Sequence, residues 1–109
     1  MSSAAKKMAK SVPQPEVPTK TINYRIDVEL SGFGIKTTYM QVSGVPEDLP
    51  SEYEQTVLRT AEAQFATALN QRLYLEFYSE GKTSKDEQPV FYNLTKLDYV
   101  QIKSITKID

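Results

Sequence analysis

From Ile22 the chain alternates strictly: Ile22, Tyr24, Ile26, Val28 and Leu30 are apolar or aromatic, while Asn23, Arg25, Asp27 and Glu29 between them are polar. A side-chain period of two sends each set to its own side, so the pattern predicts a strand with one buried face. Ser31-Gly32-Phe33-Gly34 follows. Its glycines can adopt positive φ, which predicts a turn and a returning strand over about residues 35–42. That second strand has mixed faces, with Phe33, Ile35 and Tyr39 on one side and Met40 and Val42 on the other, and the pattern leaves open which of them meets the core.

Gly44, Pro46 and Pro50 end the pairing, and the period then changes. Ser51 and Glu54 have the S-x-x-E spacing of a capping box, and Glu47, Asp48, Glu52 and Glu54 gather negative charge where a helix dipole favours it. Val57, Leu58, Ala61, Phe65, Ala68 and Leu69 recur at helical spacing, with Gln55, Arg59, Glu62, Gln64 and Asn70 largely opposite. This predicts a helix from Ser51 that covers the sheet, in which full burial of Phe65 and Leu69 contributes roughly 1.5 to 3 kcal/mol each.

After Gln71 the period returns to two, with Leu73, Leu75 and Phe77 on one side and Tyr74, Glu76 and Tyr78 on the other, predicting a third strand. Residues 79–89 read as an exposed loop. Val90, Tyr92 and Leu94, then Tyr99, Val100, Ile102, Ile105 and Ile108, predict one long bent strand or two strands broken near Lys96. The expected fold class is α+β: a small antiparallel sheet in the order ββαββ, with room for a fifth strand, and one helix packed on one face.

A length of 109 residues favours one domain, and one that leaves much of its surface exposed. The overall charge of −1 conceals an asymmetry. Lys6, Lys7, Lys10 and Lys20 against Glu16 give residues 1–20 a balance of +3, and the rest of the chain carries −4. Pro13, Pro15 and Pro18 forbid a helix there and favour extended backbone. The chain therefore divides into a flexible, basic, proline-containing tail over residues 1–20 and a single domain over 21–109. The simplest role for the tail is a solvated leader; its lysines also suit a salt-sensitive contact with phosphates, and Pro15-Glu16-Val17-Pro18 has the spacing read by aromatic-lined grooves.

Cysteine and histidine are both absent. That removes disulfides, thiolate nucleophiles, the commonest general base and the commonest transition-metal ligands. Glu80-Gly81-Lys82-Thr83 resembles the end of a phosphate-binding loop, but Glu76 stands where its first glycine belongs and Pro89 closes the stretch that should be a helix. Gly32-Phe33-Gly34 lacks the third glycine of a dinucleotide motif and suits a turn better. The acidic neighbours Glu47 and Asp48, and Asp86 and Glu87, read as solvated loop charge. No catalytic residue, metal ligand or cofactor is assigned, and the protein is expected not to be an enzyme. With no apolar run near the roughly 20 residues of a membrane span and no secretion signal, a cytoplasmic protein without membrane contact is expected. Compact size without motifs also fits the small proteins of viral and mobile-element genomes.

Seven tyrosines remain to be explained. Tyr74, Tyr78, Tyr39 and Tyr99 fall on sheet faces opposite the apolar alternation. Tyrosine adds contact area at low entropic cost, and it also serves ordinary cross-strand packing on half-exposed faces. The leading expectation is a non-catalytic protein-binding or self-associating module, a small regulator or an assembly subunit, using Tyr39, Tyr74, Tyr78 and Tyr99. The alternative is a nucleic-acid binder in which Lys6, Lys7, Lys10, Lys20, Arg25, Lys36 and Arg72 supply charge and the tyrosine face stacks bases.

Overall fold

The computed structural model describes residues 17–71 and 74–108. Four strands form one antiparallel sheet: β1 (Thr19–Leu30), β2 (Gly34–Pro46), β3 (Tyr78–Ser79) and β4 (Val100–Ile108), in spatial order β3-β2-β1-β4. A single helix, α1 (Glu54–Asn70), packs on one face, so the expected ββαββ α+β fold is the one observed; a fifth strand is not present among the described residues. Lys6, Lys7, Lys10 and the linker prolines Pro13 and Pro15, like Arg72 and Leu73, lie outside the described residues.

The alternation in β1 does what its period requires. Ile22, Tyr24, Ile26, Val28 and Leu30 are all buried toward the helix. Val57, Leu58 and Ala61 meet Ile22, Tyr24, Val42 and Val45 at one end of α1, and Phe65 and Leu69 meet Ile26, Val28, Leu30 and Phe77 at the other. Phe65 is fully buried, whereas Leu69 is only half-buried, so the two do not contribute equally as expected.

The ambiguity in β2 has a physical origin. Lys20 pairs with Val45 and Ile22 with Val42, so Thr21 is opposed by two residues, Ser43 and Gly44. Such a bulge needs a residue at positive φ, and Gly44 sits at φ 76°. The extra residue lets Val42 and Val45, three apart, both point into the core. It also lets the pairing run on to Pro46, beyond the expected end near Val42. In β4 the same device recurs: Val28 pairs with Ile102 and Asp27 with Ser104, leaving Lys103 as the extra residue, so Ile102 and Ile105 share the core face.

Three further expectations are corrected. The helix does not open on a capping box: Ser51–Tyr53 form a single 3-10 turn, α1 begins at Glu54, and no side chain caps it. The Leu49 N–H donates to the Pro46 carbonyl and the Tyr53 N–H to that of Pro50, so turns satisfy the backbone that a cap would have served. The third strand shrinks to Tyr78–Ser79, because Phe77 turns to pair with Val90 instead of β2. Residues 90–94 form no strand; a 3-10 turn at Leu94–Lys96, capped by the Asn93 side chain, precedes β4.

Candidate functional site

The face of the sheet away from α1 carries Asn23, Arg25, Asp27 and Glu29 from β1, with Gln41, Tyr39 and Thr37 opposite them on β2 and Ile108, Thr106 and Ser104 on β4. Polar residues there are not simply solvated. Asp27 accepts from Thr37 Oγ1 at 2.6 Å, Arg25 Nε at 3.1 Å and Ser104 Oγ at 3.1 Å. Burial pushes this carboxyl up, but the three hydrogen bonds and the Arg25 charge outweigh it and hold Asp27 below the ordinary carboxylate range.

This network also holds the segment after β3. The Gly81 N–H donates to Thr37 Oγ1 at 2.7 Å, and Tyr39 Oη donates to the Lys82 carbonyl at 2.7 Å. The expected exposed loop is therefore tied across the sheet at two points. Its amides are spent internally, Ser79 on Glu87, Thr83 on Asp86 and Lys85 on the Thr83 hydroxyl, which is not the free amide array a phosphate-binding loop presents.

Beside the anchored loop lies an open groove of about 750 Å³ along the outer side of β2, lined by Tyr39, Tyr74, Leu75, Glu76, Phe91 and Ile108 among others. Tyr74 is 86% exposed and meets Phe91, itself 51% exposed, edge to face at 6.1 Å between ring centroids. Tyr39 is half-buried and packs on Tyr78 at 6.0 Å. Burial raises the pKa of both Tyr39 and Tyr78.

Of the four tyrosines singled out from the sequence, the groove gathers Tyr39, Tyr74 and Tyr78 and leaves out Tyr99. Tyr78 is only 5% exposed and serves packing. Tyr99 lies near the β1–β2 turn, where its hydroxyl donates to Glu29, a bond that raises its pKa. Phe91 joins the groove without having been singled out, although its place between Val90 and Tyr92 in an alternating stretch carries the signal.

The cations do not form one patch among the described residues. Arg25 faces away from α1 and is paired with Asp27; Lys36, opposite Val28, is on the helix side; Lys20, opposite Val45, is at the other end of the hairpin. No group of three or more carboxylates among the described residues is disposed to hold a metal ion. No buried polar side-chain atom among them lacks a hydrogen-bond partner, and no helix among them is long and apolar enough to cross a membrane. Comparison with protein families, with curated proteins and with solved structures finds no match to this chain.

Proposed function

We propose that this chain is a non-catalytic module that binds protein, either a separate partner or further copies of itself, on the β2 side of its sheet. The observation that carries the reading is the Tyr74–Phe91 pair, two large aromatic rings held in contact with each other yet left open to solvent above a groove floored by Tyr39. Exposed aromatics packed on a rigid floor, next to a strand edge, are the composition of a protein contact rather than of a solvated surface. The groove's polar groups, Glu76, Thr83, Ser84, Asn23 and Gln41, suit directional hydrogen bonds to a peptide backbone.

The test is capture from an extract of the native cell on immobilised full-length chain, comparing wild type with Tyr74→Ser and Phe91→Ser. Proteins identified by mass spectrometry that bind wild type and are lost from both variants support the reading. Identical capture by all three chains counts against it.

A further inference from the structure

We propose that two copies of this chain associate edge to edge through β2, about a two-fold axis perpendicular to the sheet that passes beside Gln41; this rests on the reading of the protein as a binding module and names its partner. β3 occupies the outer side of β2 only at Lys36 and Thr37. From Tyr39 toward Gly44 no described strand takes the backbone groups on that side. A free row of N–H and C=O groups is a template for another strand, and a strand paired antiparallel with its own copy satisfies a two-fold automatically. With Gln41 on the axis, Met40 meets Val42 and Tyr39 meets Ser43 of the second copy, so no charge is set against its like.

The helix supplies an independent half of the argument. Between α1 and the β2 edge runs an apolar groove of about 620 Å³, with Met40 at its base and Thr56, Arg59, Thr60, Ala63, Gln64 and Thr67 along its wall. A two-fold contact requires each lining position to find its counterpart within the same set. When two such helices pass antiparallel, these six do so around a point between Ala61 and Glu62: Thr56 with Thr67, Arg59 with Gln64, and Thr60 with Ala63. Arg59 thus meets a neutral amide, and the remaining pairs are short side chains that let the helices approach.

One axis serves both halves. Ala61 packs in one cluster with Tyr24 and Val42, and Tyr24 pairs with Met40, so the midpoint of the helical set stands level with Gln41. The opposite edge is built differently. β4 carries a bulge at Lys103 and a second lysine at Lys107, devices that deter strand addition.

The experiment is sedimentation velocity of the full chain over a concentration series, with far-ultraviolet circular dichroism to check folding; Gln41 and Ala63 are exposed, so their replacement leaves the core intact. Wild type is expected to be a dimer. Gln41→Lys, which sets two ammonium groups against each other on the axis, and Gln41→Glu should each weaken association by roughly tenfold or more. Mixing those two variants should restore association, because each then faces the opposite charge. Ala63→Arg should dissociate the dimer from the helix side. A wild type that stays monomeric, a dimer that Gln41→Lys and Ala63→Arg leave intact, or a mixture of the charged variants that fails to associate overturns the proposal. A monomer leaves the capture experiment at Tyr74 and Phe91 standing, so the two readings fail separately.

Discussion

Thr37 and Asp27 stand opposite one another on neighbouring strands, and the hydroxyl of the first donates to the carboxylate of the second at 2.6 Å while accepting the Gly81 N–H at 2.7 Å. One buried hydroxyl thereby joins the sheet to the loop that borders the aromatic groove. Thr37→Val keeps the shape but leaves both Asp27 and Gly81 short of a bond. A loss of about 1 to 3 kcal/mol is expected, with faster hydrogen exchange at the Gly81 amide than elsewhere in the sheet. Thr37→Ser should restore most of the protection, and unchanged exchange at Gly81 in the valine variant would contradict the link.

Asp27 gives the fold an acid-side dependence. Its native pKa lies below the unfolded value of about 3.9, so the fold favours the ionised form. The resulting stabilisation is complete above that unfolded value and is lost as pH falls through the native pKa. Urea unfolding of wild type and Asp27→Asn should show a gap that is constant above about pH 5 and narrows below about pH 4. A gap of equal size at pH 3 and pH 7 would show that the carboxylate's charge is not what matters.

Phe65 and Leu69 separate the core from its margin. Phe65→Ala, at a fully buried position between helix and sheet, should cost about 3 to 5 kcal/mol, and Leu69→Ala, half-buried, clearly less. Denaturant midpoints measured side by side decide it; equal losses would mean that the end of α1 is packed as tightly as its middle.

At Gly44 the cost is one of backbone alone. An added Cβ meets nothing within 4 Å, but φ is +76°, so Gly44→Ala is expected to lose about 1 to 2 kcal/mol without any clash. A thermal melt unchanged by the substitution would mean the bulge relaxes at no cost.

The element order is legible in the sequence because β1 and α1 have clean periods of two and of 3.6, and each buries the face its period marks. Features that depend on a neighbouring strand are not. The alternation in residues 74–78 suits a strand, yet Phe77 pairs with Val90 and β2 is left with an open edge. Ser51 and Glu54 match a capping box, but Pro50 and the 3-10 turn set the chain direction before the helix begins. The four tyrosines stand out in the sequence as a group, while their division into a floor at Tyr39 and Tyr78, a rim at Tyr74 and a distant Glu29 partner at Tyr99 depends on contacts between residues as far as 70 positions apart.

The two bulges make the central strand a ruler against which both neighbours carry one surplus residue. Removing Gly44 or Lys103 would shorten the chain by a single position yet turn Val45, or Ile105 and the residues after it, inside out. These strands should therefore accept many substitutions while rejecting a one-residue deletion, a tolerance profile that a systematic deletion scan would trace along the sheet.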